Sequence, residues 1–325
     1  MEPLTQTLVV PIEDPSQIAH ARRTAAELAT AVGLDEQRVS AVSVVAVELA
    51  NNILQHAGGG KLYLQFIESA GALDIMAVDH GRGMASVDQC LADGYSTAST
   101  PGLGLGAVRR FAVRFAAYSI PGRSTVVAAR MSERKTAPDF AVVSVPMHGE
   151  TLSGDSWNVS EDGRTFMVVD GLGHGMLAAD AAQAAVSVFH KHQDASPANI
   201  LERMHAALRA TRGAAAAVAQ IRPEAGIIDF AGLGNISCML LGNARTQSLV
   251  SHNGTLGHQM RRVQQFSYPF QKGDVLLMHS DGLTTHSKGI PASLLAQPPF
   301  VIAPLLFSEQ LRGRDDATLL VNRIG

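Results

Sequence analysis

The first residues that could do chemistry are a carboxylate and a carboxamide in a strongly apolar segment. Glu48 and Asn52 lie four positions apart within residues 39–54, which are otherwise mostly apolar. A spacing of four puts two side chains on the same face of a helix. A carboxylate and an amide on a mostly buried helix are costly unless they do something, so this pair is a candidate for function. The alternative is that both residues lie on a solvated edge of the helix.

Two glycine-containing motifs follow, the first suited to close approach of a ligand and the second to binding phosphate. Asp79 ends an apolar run and precedes Gly81 and Gly83, and glycine lets the backbone approach a ligand closely. A helix N-terminus presents unpaired N–H groups and a positive dipole end to an anion. Glycines stand at alternate positions just before such a predicted helix, at Gly102, Gly104 and Gly106. Taken singly, the two motifs could also be a tight turn and a plain loop.

The second half of the chain carries aspartates at the ends of apolar runs. Carboxylates brought together at strand ends favour hard cations such as Mg²⁺ or Mn²⁺, because without a cation their charges repel. Any one of them could be an ordinary turn aspartate, since Asp-Gly is common in turns. Taken together they favour a metal site, and they are Asp155, Asp170, Asp281 and the adjacent pair Asp315 and Asp316.

The elements that must position the first set are strands interleaved with helices. Residues 14–32 and 35–57 have the pattern of helices, and the second of these carries Glu48 and Asn52. The glycine turn at Asp79 follows a predicted strand. In this half we expect strands over residues 8–12, 62–67, 73–78 and 125–131, and a further helix over residues 104–117.

The second half is richer in strands, and a short polar stretch precedes it. Residues 132–138 are polar and end in proline, as is typical of a linker. We expect strands over residues 140–145, 165–169, 216–221, 227–230, 237–241 and 275–278, and helices over residues 176–192 and 197–211. These patterns predict an α+β protein of two domains, residues 1–133 and residues 139–325.

Composition narrows the class of function. The 325 residues include 26 basic and 29 acidic side chains, so no overall positive charge favours nucleic acid or an anionic membrane as partner. The two cysteines, Cys90 and Cys238, lie far apart and have neither a metal-binding nor a disulfide spacing. A signal peptide and an apolar stretch of about 18 residues are both missing, so we expect a cytoplasmic protein without a membrane span.

The order of the first set of motifs resembles the GHKL ATPase fold. Glu-x-x-x-Asn on a helix, Asp-x-Gly-x-Gly after a strand and Gly-x-Gly-x-Gly before a helix are its signature. The stretch DGYSTASTPGLGLGAVRRFA looks most like the RsbT-type switch kinases of bacterial partner-switching systems, and the resemblance covers roughly residues 1–131. It implies an N-terminal GHKL (Bergerat) ATPase α/β sandwich that binds ATP and Mg²⁺.

The same resemblance implies a role for each residue. Glu48 would be the general base that takes the proton of a protein serine or threonine, and Asn52 would hold the Mg²⁺ that bridges the phosphates. Asp79 would bind the adenine amino group. These roles fit the needs of phosphoryl transfer, which are a positioned nucleotide, a metal ion and a base. The pocket and its lid would be shaped by Gly81, Gly83, Gly102, Gly104 and Gly106.

The aspartate set resembles the SpoIIE branch of the metal-dependent protein phosphatase (PPM) superfamily, and in particular its RsbX-type members, over about residues 139–325. The stretch VVDGLGHGMLAADAA is the most specific match. The resemblance implies a PPM-type β-sandwich flanked by helices, with two ions that activate a water for attack on a phosphoserine or phosphothreonine. The implied ligands are Asp155, Asp170, the Gly171 carbonyl, Asp281 and either Asp315 or Asp316, of which we favour Asp315.

The histidines of the second half are less informative. His174 could reach the phosphate or merely fill the Gly-His-Gly turn, and the sequence favours neither. We expect His279, His190 and His192 to be structural or solvated rather than metal ligands.

Together the two resemblances imply a bifunctional regulator in which one domain phosphorylates and the other dephosphorylates a STAS-domain antagonist protein. A downstream regulator switched by the first domain is a further implied partner. The oligomeric state, including the homodimer that relatives of the first half often form, stays open. Two alternatives stay open: the first domain as a non-catalytic module that binds a partner, or as a nucleotide sensor for the phosphatase.

Overall fold

The computed structural model describes residues 5–84, 86–87, 104–132, 139–242, 245–260, 262–284 and 289–325. The chain forms two compact units. The first consists of Met1–Ala137 and a separate segment, Ala296–Ser308, and the second of Pro138–Leu295 and Glu309–Gly325. Residues 296–308 therefore belong to the first unit, although they follow most of the second unit in sequence.

The first unit is built on one antiparallel sheet. Its elements are β1 (Leu8–Ile12), α1 (Pro15–Ala31), α2 (Glu36–Ala57), β2 (Gly60–Ile67), β3 (Ala72–Asp79), α3 (Gly104–Phe111), β4 (Arg114–Ile120) and β5 (Ser124–Ser132). The strand order is β1-β2-β3-β5-β4. Apolar side chains of α1, α2 and α3 form a single core cluster with one face of this sheet.

Local signals determine where the two long helices begin and end. Asp14 caps α1 in a capping box with Gln17. Asp35 caps α2 by accepting a hydrogen bond from a backbone N–H of the first turn, and Gly58 ends α2 in the left-handed conformation. The apolar stripe of α2 then buries against the sheet, so its polar residues are held at fixed positions beside the end of β3.

The predicted helix over residues 104–117 is wrong in its second half. The helix ends at Phe111, and Arg114–Ile120 forms the edge strand β4. Val113 N donates to the Arg130 carbonyl at 3.0 Å, which starts the pairing of β4 with β5. Phe115 and Ala117 alternate toward the core cluster. Pairing with β5 therefore outweighs the helical pattern of this short apolar run.

The second unit is a sandwich of two antiparallel sheets. Its elements are β6 (Phe140–Val145), β7 (Asp155–Val159), β8 (Thr165–Gly171), α4 (Met176–His192), α5 (Pro197–Ala207), β9 (Ala214–Arg222), β10 (Ile227–Leu233), β11 (Ser237–Leu241), β12 (Thr246–Leu249), β13 (Phe266–Pro269), β14 (Val275–His279), α6 (Ala292–Leu295) and β15 (Ala317–Arg323). The strand orders are β13-β10-β9-β8-β7 and β12-β11-β14-β15-β6. Phe140 of one sheet contacts Phe166 of the other edge to face, with ring centroids 5.9 Å apart.

Helices cover the outer face of the first of these sheets. Apolar residues of α4 and α5 form a core cluster with β8, β9 and β10. The predicted helix over residues 197–211 ends at Ala207 and continues as a short 3-10 turn to Ala210. Strands β7, β12, β13 and β15 had no predicted counterpart, and β7 and β15 border the aspartates of the predicted metal site. None of the helices in the described part of the chain is long and apolar enough to cross a membrane.

Candidate functional sites

The turn after β3 is packed tightly against the end of α2. A Cβ on Gly81 would lie 2.5 Å from the Ala57 Cβ, so only glycine fits there. Gly83 has φ +75°, and a Cβ on it would lie 2.9 Å from the Cα of Pro121. Asp79 accepts a hydrogen bond from Gly81 N at 2.9 Å, and burial raises the pKa of its carboxyl. The two glycines thus place Asp79 beside α2.

Glu48 and Asn52 lie on α2, both half-buried. The side-chain amide nitrogen of Asn52 is buried and has no hydrogen-bond partner among the described residues. A buried amide without a partner costs free energy, and a bound ligand would remove that cost. An unpaired amide N–H can donate to an acceptor such as a phosphate oxygen, so the chemistry of this helix fits a bound nucleotide.

The glycine run before α3 is only partly described. Gly104 starts α3 with φ +62° and Gly106 lies in its first turn, whereas Gly102 lies outside the described residues. α3 packs against α2, the helix that carries Glu48 and Asn52. The described part of this motif thus belongs to the same side of the sheet as the other nucleotide-site candidates.

In the second unit, aspartates from both sheets converge. Asp155 opens β7 and lies directly opposite Asp170 of β8 in the strand register. Asp281 follows β14, and the Asp315–Asp316 pair precedes β15, in the other sheet. Burial, and after it the negative charges of Asp155, Asp281, Asp315 and Asp316, together raise the pKa of Asp170 to about 9. The other predicted carboxylates are therefore close enough to Asp170 to disfavour its charged form.

Hydrogen bonds from neighbouring side chains hold two of these carboxylates in place. The Ser280 hydroxyl donates to Asp155 at 2.5 Å and accepts from Thr318 N at 3.0 Å. Burial raises the pKa of Asp155 to about 7 even so. The Asn235 amide donates to Asp281 at 2.7 Å. The sequence predicted neither Asn235 nor Ser280 as part of the site. Of the two, only Ser280 carries a sequence signal, because it stands next to Asp281.

The two members of the C-terminal aspartate pair have different surroundings. Asp316 is 3% exposed, and its two oxygens accept from Met147 N at 2.7 Å and Gly154 N at 2.8 Å. Asp315 is exposed and accepts from Asp316 N at 2.9 Å. Asp316 thus holds the connection between β6 and β7 against the start of β15, and Asp315 is the member that is exposed to solvent.

The donor set fits divalent cations. Several carboxylates and a strand-end carbonyl are hard oxygen ligands, and two like charges facing each other across β7 and β8 are destabilising without a counter-ion. Within the described ranges, no three acidic, histidine or cysteine side chains are already arranged to enclose one ion. Mg²⁺ keeps several waters and needs only one or two carboxylates, so this open arrangement is compatible with it.

Glycines bring the loops of this site together. A Cβ on Gly171 would lie 2.2 Å from the Ala178 carbonyl oxygen, and one on Gly282 would lie 2.0 Å from the Asp316 carbonyl oxygen. A Cβ on Gly154 would lie 2.7 Å from the Ala178 Cβ. The Asp-Gly pairs of the sequence are therefore needed for close backbone packing around the carboxylates.

Histidines near the site have protein partners. His174 is exposed, and its Nδ1 lies 2.7 Å from Oε1 of Glu150. The guanidinium of Arg212 reaches the same turn, where its Nη1 lies 3.0 Å from the position of a Cβ on Gly173. His279 is buried, its Nδ1 lies 2.7 Å from the Ser280 carbonyl, and burial lowers its pKa. Sequence reasoning missed Glu150 and Arg212, which lie in no recognisable motif.

Comparison with known proteins assigns each half to a family. Residues 160–324 match the family described as Stage II sporulation protein E (SpoIIE). Residues 13–131 match the family described as histidine kinase-like ATPase domain. Over 114 residues the chain is 30% identical to the serine/threonine-protein kinase RsbT of Bacillus subtilis (strain 168), which is 34% of this chain and 86% of RsbT. Over 146 residues it is 25% identical to the phosphoserine phosphatase RsbX of the same organism, which is 44% of this chain and 73% of RsbX.

Solved structures resemble the chain over somewhat more than half of its length. One is described as "The bacterial stressosome: a modular system that has been adapted to control secondary messenger signaling" and has a TM-score of 0.52 at 28% identity, covering 56% of this chain and 97% of that one. The structure of RsbX in complex with magnesium has a TM-score of 0.51 at 23% identity, covering 57% and 94%, and shows the fold alone. Together, the family matches, the two Bacillus subtilis relatives and the solved structures confirm the predicted fold class and the predicted resemblance to a kinase joined to a PPM phosphatase.

Proposed function

Because the chain belongs to the Stage II sporulation protein E (SpoIIE) family and carries a histidine kinase-like ATPase domain before it, we propose a bifunctional partner-switching regulator. The first unit phosphorylates a serine or threonine of a STAS-domain antagonist protein, and the second unit removes that phosphate. The observation that carries the phosphatase half is the convergence of aspartates from two sheets on Asp170. The likeness to RsbT supports the kinase half.

The phosphatase site works through a preorganised set of carboxylates. When bound, two Mg²⁺ or Mn²⁺ ions supply a water of lowered pKa for in-line attack on the phosphate ester. Ser280 and Asn235 keep two of the carboxylates aimed into the site, and Asp316 closes the loops around it. The ligands that we propose are Asp155, Asp170, Gly171 through its carbonyl, Asp281 and Asp315.

Exposed apolar side chains beside this site support a protein substrate rather than a small phosphate ester. Leu152 is 41% exposed, Leu172 42%, Met176 66% and Leu177 50%. Leu152 and Leu172 lie on loops and Met176 and Leu177 in the first turn of α4, and Gly154 and Gly171 pack these segments together at Ala178. Clustered exposed apolar residues beside a functional site are typical of a surface that binds another protein. Arg212 adds a positive charge beside them that suits an incoming phosphate.

The kinase site uses one helix and one turn. Glu48 takes the proton from the substrate hydroxyl, and Asn52 four residues later holds Mg²⁺ at the phosphates of ATP. Asp79 accepts a hydrogen bond from the adenine amino group, and Gly81 N orients that carboxylate. Gly83, Gly102, Gly104 and Gly106 shape the pocket and the lid in this proposal.

The phosphatase half is tested by hydrolysis of para-nitrophenyl phosphate in Mn²⁺ by the full chain. Asp170→Asn is expected to reduce turnover by at least about 100-fold, because it removes a central ligand. Asp194→Asn, an exposed aspartate at the end of α4, is the matched control and should behave as wild type. Full activity in Asp170→Asn would contradict the proposed metal site.

The kinase half is tested by phosphate transfer from radiolabelled ATP to purified STAS-domain proteins of the same organism. Glu48→Gln is expected to abolish transfer while nucleotide binding persists, and the exposed Glu27→Gln of α1 serves as control. If wild type binds ATP but transfers no phosphate to any of these proteins, the first unit is a nucleotide sensor or a binding module. That outcome would contradict the proposed kinase activity.

A further inference from the structure

A helix that lies in sequence between Asp281 and the Asp315–Asp316 pair is a structural part of the first unit. It is α7 (Pro299–Gln310), and its residues up to Ser308 belong to that unit. Every residue from Pro299 to Phe307 is buried. A helix that is apolar on all sides has to be buried on all sides, so α7 has no solvent-facing stripe.

The sheet of the first unit needs such a cover because its strands are apolar on both faces. Residues 72–78 of β3 are all buried. Leu73, Ile75 and Ala77 point into the core cluster formed with α1, α2 and α3. The intervening positions, including Asp74 and Met76, therefore lie on the opposite face of the sheet.

An ion pair on this second face lies under the aromatic side chains of α7. Asp74 and Arg130 stand directly opposite each other on β3 and β5, and both side chains are 0% exposed. Arg130 donates from Nε at 2.6 Å and from Nη2 at 2.7 Å to the two Asp74 oxygens. The ring of Phe300 lies 5.5 Å from the Arg130 guanidinium carbon and 5.2 Å from that of Arg114.

The last turn of α7 reaches the turn after β3, which contains His80, Gly81 and Gly83. Phe307 packs edge to face on Tyr63 of β2, with ring centroids 6.2 Å apart. Ser308 hydrogen-bonds to the Tyr63 hydroxyl, and its Oγ lies 3.1 Å from Nε2 of His80. His80 stands between Asp79 and Gly81, and its Nδ1 lies 3.3 Å from the Arg123 carbonyl oxygen. The ring thus joins the end of α7 to the turn between β4 and β5.

We infer that Ser308 is a positioning residue for the nucleotide site of the first unit. The Arg123 carbonyl can only accept, so the neutral His80 ring carries its proton on Nδ1 and accepts from the Ser308 hydroxyl at Nε2. This bond restrains the turn on which Asp79 is presented. The inference rests on the proposed nucleotide binding of the first unit.

The test uses the full chain, with the dissociation constant of a fluorescent ATP analogue as the first readout. Ser308→Ala is expected to weaken nucleotide binding by about two- to tenfold, the usual worth of one neutral hydrogen bond. Ser308→Thr keeps the hydroxyl and should restore binding. Ser187→Ala, in α4 of the second unit, is the matched control, and hydrolysis of para-nitrophenyl phosphate should stay within about twofold in all three variants.

Hydrogen exchange gives a second readout that does not depend on ligand. Amides of residues 79–84 should exchange faster in Ser308→Ala than in wild type, because the restraint on the turn is lost. Unchanged nucleotide affinity and unchanged exchange in Ser308→Ala would overturn the inference. If wild type binds no nucleotide, the proposed function fails, and the exchange experiment still decides whether Ser308 positions the turn.

Discussion

The carboxylates of Asp155 and Asp170 stand directly opposite each other on the neighbouring strands β7 and β8. Like charges in this arrangement destabilise a sheet, and burial worsens the repulsion. The pKa of Asp155 is raised to about 7 and that of Asp170 to about 9. The fold therefore stores a repulsion that divalent cations would relieve.

The first prediction follows from this repulsion. In protein treated with EDTA near neutral pH, Asp170→Asn should raise the stability of the second unit by about 1 kcal/mol, or about 2–4 °C in Tm, because the neutral amide avoids the cost of protonating a buried carboxyl whose pKa is raised to about 9. Adding Mn²⁺ should stabilise wild type more than the variant. Thermal unfolding with and without Mn²⁺ measures both effects, and an equal response of the two proteins to Mn²⁺ would count against metal binding at Asp170.

The second prediction concerns the glycine that lets β15 approach the Asp281 loop. Gly282→Ala should destabilise the second unit by about 1–3 kcal/mol, because the new Cβ would overlap the Asp316 carbonyl oxygen. Phosphatase turnover should fall with it, since Asp315 and Asp316 are displaced. Gly325→Ala has open space around its Cβ and is the control. Urea unfolding measures the midpoint of each variant. Equal midpoints for Gly282→Ala and Gly325→Ala would contradict the close contact between Gly282 and the Asp316 carbonyl oxygen.

The third prediction separates buried from exposed phenylalanine in the first unit. Phe300→Ala should destabilise that unit by about 3–5 kcal/mol, because it leaves a cavity over the Asp74–Arg130 pair. Phe111 is 44% exposed, so Phe111→Ala should change stability by no more than about 0.5 kcal/mol. The fluorescence of a bound nucleotide analogue, recorded while the protein is unfolded, reports on the stability of this unit. Similar effects of the two variants would mean that α7 does not stabilise it.

The fourth prediction is a pH dependence. Burial raises the pKa of Tyr63 from 10.0 to about 12. A raised pKa in the fold means that the stabilisation is complete below the unfolded value of about 10 and is lost as the pH rises through about 12. Absorbance at 295 nm should therefore show a tyrosine that ionises late, and Tyr63→Phe should remove that step. A titration unchanged by Tyr63→Phe would contradict the burial of this hydroxyl under α7.

Much of the fold was predictable from local signals. The caps Asp14 and Asp35 lie where the first two helices begin, and the apolar runs before Asp79 and Asp170 are strands. The edge strand β4 was mistaken for helix because its stability comes from pairing with β5, which no local pattern records. The placement of α7 has the same cause: an apolar helix shows that it is buried but not against which sheet.

The residues of the candidate sites also fall into two groups, those that the sequence predicts and those that only tertiary packing reveals. Motif residues such as Asp79 and Asp281 could be named because their spacing relative to glycines is distinctive. Residues that support them from distant positions could not: Ser280 acts on Asp155 at a separation of 125 residues, and Ser308 on His80 at a separation of 228. Such contacts depend on tertiary packing, and a serine in the sequence carries no sign of them.

The most direct test of bifunctionality is a cycle between two variants of the full chain, followed by mass spectrometry of a STAS-domain protein. With ATP and Mg²⁺, Asp170→Asn should accumulate phosphoprotein, whereas Glu48→Gln should form none. Glu48→Gln with Mn²⁺ should then remove the phosphate from the same serine or threonine that Asp170→Asn modified. Phosphorylation by Glu48→Gln, or phosphate that persists in its presence, would contradict the two opposed activities proposed for this chain.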